Sequence, residues 1–155
     1  MKKQDFTATI TAAITPAEAY KGITEVSAWW SENLDGSSEN LGDTFTVHFG
    51  ETFVDFKITE AVANKKMVWL VTDCYLHWLA DKKEWSDTQI VFEIVPVGNA
   101  TQINFTHVGL VPEVECYDGC VKGWTEYFKD SLFKLLTEGK GNPQKKKEAV
   151  AEAVH

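Results

Sequence analysis

The sequence predicts an α+β domain in which a curved antiparallel six-stranded sheet wraps around one long C-terminal helix, with two short helices after the first strand. Three observations indicate this fold. Short runs of alternating hydrophobicity recur six times, a helical three-and-four spacing follows residue 112, and 155 residues suffice for a single core. A sheet with one apolar face must cover it, and only the C-terminal helix is long enough to do so.

The first strand and the two short helices are encoded at the start of the chain. "DFTATITAAI" alternates apolar residues with threonine, which is typical of a half-buried strand. In "TPAE", Thr15 can cap a helix, proline suits its first position, and Glu18 completes a capping box. These signals predict a helix over Pro16–Thr24. "EVSAWWSENL" predicts a second helical turn with Trp29 and Trp30, followed by a polar loop.

The middle of the chain predicts a meander of five strands. The alternating runs are "TFTVHF", "FVDFKI", "MVWLV", "QIVFEIVPV" and "TQINFTH". Because "VGNA" is typical of a tight turn, the last two runs predict a hairpin. The parity of the final strand places His107 on the apolar face of the sheet.

The C-terminal helix is predicted from Pro112 to about Glu138, and Gly139 can close it. Its apolar stripe comprises Tyr117, Val121, Trp124, Phe128, Leu132 and Leu135. We expect one domain over residues 1–139. Residues 140–155 have little to bury and predict a mobile tail.

Charge and composition exclude several classes of protein. A net charge of -8 disfavours nucleic acid, whose binding requires a basic surface. No apolar run approaches the roughly 20 residues that span a bilayer, and the two N-terminal lysines precede no apolar segment typical of an export signal. We therefore expect a cytoplasmic protein with no nucleic-acid partner and no membrane insertion.

Two cysteines four residues apart on the predicted helix could suggest a metal site. Cys116 and Cys120 offer only two ligands, whereas a structural zinc needs four, so no metal is predicted. We expect free thiols packed against a neighbouring element. Gly119 and Gly123 share this face, so the sequence also predicts close approach of another backbone there.

The order of elements resembles a known family. "TPAEAY" after the first strand, "FTHVGL" at the end of the last and "KGWTEYFKDSLFKLL" in the final helix resemble the SRPBCC superfamily of START-like helix-grip proteins. Within it, the chain looks most like homologues of the heat-shock-protein-90 ATPase activator. The resemblance implies a deep apolar cavity between sheet and helix. Members of the superfamily include lipid and hormone carriers, polyketide cyclases and co-chaperone domains, so the fold alone does not select a function.

The candidate ligand-binding residues combine the expected inner lining with aromatic residues near the expected cavity mouth. The alternative for most of them is a purely structural role in the core. The tryptophan-rich segment 73–87 and the tryptophans at 29 and 30 stand in or beside polar loops, which is typical of a ligand mouth or a partner surface. The candidates are Trp30, Phe56, Trp69, Tyr75, Trp78, Phe92, Phe105, His107, Tyr117, Trp124 and Phe128.

The sequence allows two interpretations of His107. An inward histidine must hydrogen-bond something, either a loop carbonyl or helix side chain, or a ligand in the cavity. No partner for a catalytic role is visible, and paired carboxylates, nucleophile motifs and phosphate-binding glycines are absent from the sequence. We therefore name no catalytic residue and no cofactor.

The function expected from the sequence is the binding of a small apolar or aromatic molecule in the cavity. Two alternatives stand beside it. One is a co-chaperone-like interaction domain, with a protein partner of chaperone type held by exposed tryptophans. The other is a cyclase- or hydrolase-like enzyme that uses polar residues of the cavity.

Overall fold

The computed structural model describes residues 5–49, 51–76, 80, 82–111 and 117–143. Seven strands form one antiparallel sheet of order β1-β7-β6-β5-β4-β3-β2. None of the described helices is long and apolar enough to cross a bilayer. The strands are β1 Phe6–Ala12, β2 Leu34–Gly36, β3 Thr44–Phe49, β4 Thr52–Val62, β5 Lys66–Tyr75, β6 Gln89–Val97 and β7 Ala100–Val108, and the two short helices are α1 Pro16–Thr24 and α2 Val26–Trp29.

Helix α1 begins with the predicted capping box. The Thr15 hydroxyl accepts a hydrogen bond from the Glu18 backbone N–H at 3.1 Å, and the Glu18 carboxylate accepts one from the Thr15 N–H at 2.9 Å. These two bonds satisfy backbone donors that the first turn of a helix leaves unpaired. The predicted bounds of α1 are confirmed.

The sheet has seven strands, so the predicted count of six is wrong by one. The additional strand, β2, pairs with β3 through Leu34↔Val47 and Gly36↔Phe45. It is three residues long and lies in the segment that the sequence predicts as a polar loop. A period of two cannot be recognised over so few residues, and pairing with β3 is what makes them a strand.

The predicted hairpin of the last two strands is confirmed. β6 and β7 pair in register through Phe92↔Phe105 and Ile90↔His107, with Gly98 at a φ of 61° in the turn. This register places His107 on the inner face of the sheet, where it is completely buried.

The C-terminal helix runs through three consecutive segments. They are α3 Tyr117–Trp124, a π-helical segment Thr125–Leu132, and α4 Phe133–Glu138. Gly139 closes the helix in the left-handed conformation at a φ of 81°, as predicted. The predicted first turn, residues 112–116, lies outside the described residues.

The chain remains packed for a few residues beyond this helix. The Ser131 hydroxyl donates to the Trp29 carbonyl at 2.6 Å and accepts from the Asn142 N–H at 2.7 Å. Pro143 is buried, so the ordered packing continues past residue 139. Residues 144–155 lie outside the described residues, and a mobile tail there stays a prediction.

Aromatic side chains fill most of the space between sheet and helix. Six of them are fully buried, and their rings contact one another, with 4.8 Å between the centroids of Trp69 and Phe92 and 4.8 Å between those of Phe105 and Phe128. Within the described residues, the contacts among these rings fill the space between them. The six are Trp29, Phe56, Trp69, Phe92, Phe105 and Phe128.

Candidate ligand-binding site

A cavity of about 260 Å³ lies between the N-terminal half of the C-terminal helix, the start of β4 and the end of β5. Its described lining carries no charged side chain. The lining residues are Trp30, Thr52, Val54, Leu76, Trp85, Gly119, Cys120, Gly123, Trp124 and Tyr127.

Half of this lining comes from one stripe of the C-terminal helix. Gly119, Cys120, Gly123, Trp124 and Tyr127 are spaced by one, three, one and three residues, so they share one face of the helix. The stripe therefore presents two positions without side chains to the cavity, beside two aromatic rings.

The two glycines of the stripe face open space. Outside the helix's own backbone, a Cβ atom placed on Gly119 or Gly123 would meet no heavy atom of the described residues within 4 Å, and neither residue has a positive φ. The predicted close approach of another backbone is not found among the described residues. A glycine inside a helix costs about 1 kcal/mol relative to alanine. Neither their packing against the described residues nor their backbone conformation requires these two glycines.

Three tryptophans form the aromatic wall of the cavity. The rings of Trp30 and Trp124 lie 4.8 Å apart between centroids, and those of Trp85 and Trp124 stack at 5.9 Å with 11° between their planes. The exposed fractions of the three residues are 4%, 2% and 7% in the order Trp30, Trp124 and Trp85. Contacts between the rings therefore hold the wall in place, and only a small part of each indole is exposed.

His107 stands behind this wall and orients it. Its Nδ1 accepts a hydrogen bond from the Trp124 indole N–H at 3.1 Å, and its Nε2 lies 3.0 Å from the Thr88 hydroxyl oxygen. The Thr88 hydroxyl donates its proton to the Trp85 carbonyl at 2.6 Å, so the Nε2–H of His107 must be the donor to Thr88. One tautomer therefore satisfies the whole chain of bonds.

Burial keeps His107 uncharged. It lowers the pKa of the imidazole from 6.5 to about 3, because desolvation disfavours the charged form. A proton on Nδ1 would also remove the acceptor of the Trp124 indole N–H. The bond to a helix side chain is therefore the interpretation that the geometry favours, and His107 positions Trp124 and, through Thr88, Trp85.

The predicted site residues divide into several groups. Trp30 and Trp124 line the cavity, whereas Phe56, Trp69, Phe92, Phe105 and Phe128 pack into the filled core.

Of the other predicted residues, Tyr75 and Tyr117 are not part of the described lining. Tyr75 stacks on Phe53 with 6.3 Å between centroids and has the Lys82 ammonium 5.9 Å from its ring. Tyr117 is partly buried at the start of α3. Trp78 lies outside the described residues. Ligand contact by these residues stays a prediction.

Several lining residues are not among the predicted site residues. Thr52, Val54, Leu76 and Tyr127 sit in ordinary strand and helix patterns, which give no signal for an opening. The sequence feature that could have indicated the cavity is the pair Gly119 and Gly123 in a helix that is otherwise amphipathic.

The cysteines differ from the expectation of free thiols. Cys74 is free and buried, whereas Cys120 is disulfide-bonded, so the expectation is wrong for Cys120. Cys116 lies outside the described residues. Within the described ranges, no group of histidine, cysteine and acidic side chains could hold a metal ion.

The tryptophans near polar loops do not form an exposed patch within the described structure. Trp29, Trp30 and Trp85 are each at most 7% exposed. The flanking polar residues suggested a surface location, but the rings turn inward onto the core and the cavity wall.

The family model described as "Activator of Hsp90 ATPase homolog 1-like protein" matches residues 13–137. The Aha1 dimer from Colwellia psychrerythraea is 25% identical, with a TM-score of 0.70, over 89% of this chain and 99% of that chain. No curated protein matches the chain significantly.

Two more distant structures share the fold. Mll3558 from Rhizobium loti is 16% identical, with a TM-score of 0.67, over 83% of this chain and 94% of that chain. DynU16, from the dynemicin biosynthetic locus, is 14% identical with a TM-score of 0.67, and the match covers 88% of this chain but 48% of DynU16.

Proposed function

Since the chain belongs to the family of Activator of Hsp90 ATPase homolog 1-like proteins, we propose that it uses the helix-grip fold of that family to bind a small apolar or aromatic molecule. The ligand would enter the cavity of about 260 Å³ between α3, the start of β4 and the end of β5. Ligand pockets are typically concave and mostly apolar, as this one is.

The glycine pair carries this proposal. Gly119 and Gly123 weaken the helix, and no atom of the described residues outside the helix backbone lies close enough to require them. Alanine or a larger residue at either position would project into the cavity. Glycine at both positions is explained if the open space has a use, because breaks of local stability rules in natural proteins are expected at functional sites.

The affinity to expect follows from the area that can be buried. A ligand about the size of an aromatic side chain buries roughly 200 Å², which contributes about 5 kcal/mol at roughly 25 cal/mol per Å². That free energy corresponds to a Kd on the order of 0.1 mM. Binding should therefore be sought up to millimolar ligand concentrations.

The experiment is a titration with N-phenyl-1-naphthylamine, an uncharged fluorophore, read by energy transfer from the tryptophans. We expect saturable one-site binding that Gly123→Leu weakens at least tenfold. Thr125→Leu is the matched control, because Thr125 is exposed on the same helix and the substitution also leaves the charge unchanged. Unaltered binding in Gly123→Leu, or binding that never saturates, would contradict the proposal. Circular dichroism of both variants checks that they fold.

A chaperone-interaction domain is a second candidate, and the family description favours it. The sequence argument for it was a patch of exposed tryptophans, and the described tryptophans are buried. The discriminating measurement is the ATPase rate of purified Hsp90 with and without this protein. Stimulation that survives in Gly123→Leu would favour the interaction domain over the ligand-binding proposal.

A further inference from the structure

We propose that the ligand is an uncharged, planar aromatic molecule of one or two fused rings, an inference that rests on the ligand binding proposed above. Three features of the cavity carry it: the absence of charge from the described lining, the rigid indole wall, and the bare helix face at Gly119 and Gly123.

The lining selects against ionic ligands. Its described polar side chains are two hydroxyls, of Thr52 and Tyr127, and the indole N–H groups. An ion that leaves water for such a site loses hydration and gains no opposite charge in return. The net charge of -8 adds a repulsion against anions. Fatty acids and aromatic carboxylates are therefore disfavoured.

The indole wall favours flat rings. Trp124 cannot rotate freely, because its N–H is held by His107, and Trp85 is stacked against it. Aromatic rings gain additional affinity from edge and offset-stacked contacts with such groups, beyond the area that they bury. A wall that is already ordered also loses little conformational freedom when a ligand binds.

The helix face without side chains and the small cavity volume limit the shape of the ligand. Without side chains at Gly119 and Gly123, the helix offers a flat backbone surface at the cavity. A volume of about 260 Å³ lies just below the roughly 300–1,000 Å³ of pockets for drug-sized ligands. A long alkyl chain would exceed this space or have to fold, with loss of rotational freedom.

The test compares three ligands of one skeleton by isothermal titration calorimetry on the wild-type protein. They are 2-naphthol, which is neutral and planar, decahydro-2-naphthol, which is neutral but puckered, and 2-naphthoate, which is planar but charged. We expect 2-naphthol to bind at least fivefold more tightly than decahydro-2-naphthol and at least tenfold more tightly than 2-naphthoate.

The outcomes separate this inference from the proposed function. If the saturated alcohol or the carboxylate binds as tightly as 2-naphthol, and Gly123→Leu abolishes that binding, the ligand class is refuted while ligand binding in the cavity stands. If none of the three ligands nor the neutral fluorophore binds, both proposals are refuted. The expected order of affinities, lost in Gly123→Leu but kept in Thr125→Leu, supports both.

Discussion

Replacement of Gly123 by alanine should stabilise the protein and, at the same time, lower its affinity for the ligand. Outside the helix backbone, the new methyl group would meet no atom of the described residues within 4 Å, and the backbone there is right-handed, so the helix gains propensity without strain. We expect a gain of about 0.5–1 kcal/mol in the free energy of unfolding, which raises Tm by roughly 1–4 °C for a chain of this size.

The same substitution should lower the affinity for the ligand. A methyl group is about as large as a water molecule, roughly 30 Å³. It therefore takes about a tenth of the 260 Å³ cavity. Mild overpacking costs about 1 kcal/mol, equivalent to about a fivefold weaker Kd for the fluorophore.

Thermal unfolding by circular dichroism and the fluorescence titration measure the two effects. Gly139→Ala is the control, because Gly139 also has no atom within 4 Å of a new Cβ but has a φ of 81°. It should lower Tm and leave the ligand affinity unchanged. A lower Tm for Gly123→Ala would mean that this glycine has a structural role, and an unchanged Kd would mean that the ligand binds elsewhere. Either result would refute the reasoning.

Two further predictions concern buried polar groups. Burial holds the pKa of His107 near 3 in the folded protein, whereas its pKa in the unfolded chain is about 6.5. Between pH 6.5 and pH 3, therefore, only the unfolded state binds a proton at His107, and the free energy of unfolding falls as the pH is lowered below 6.5. Relative to His107→Phe, wild type should lose about 2 kcal/mol between pH 7 and pH 5 in urea unfolding; equal pH dependence of the two proteins would exclude a neutral buried histidine. Ser131→Ala should cost about 1–3 kcal/mol, because the Asn142 N–H and the Trp29 carbonyl lose their partner, and an unchanged urea midpoint would contradict that bonding.

Local signals made most of the fold predictable. The capping box at Thr15 and Glu18 fixed the start of α1, and the parity of β7 placed His107 on the inner face before any pairing was known. Such patterns depend only on residues close in the chain. β2 escaped prediction, because a strand of three residues exists only through its pairing with β3.

The position of the cavity was less predictable. The alternating strands that carry Phe56, Phe92 and Phe105 indicate an apolar interior. Periodicity does not reveal whether that interior is open or filled. The rings of Trp29 and Trp69 complete the filling from two distant parts of the chain. The cavity depends on a tertiary arrangement that no local pattern encodes.

The most direct test of ligand binding in the cavity is a two-dimensional amide NMR titration of the wild-type protein with 2-naphthol. We predict saturable shifts of the Gly119 and Gly123 amide signals with one common Kd, and no shift of Gly98, which lies in the β6–β7 turn. Binding that leaves both helix glycines unmoved, or shifts Gly98 equally, would contradict the account.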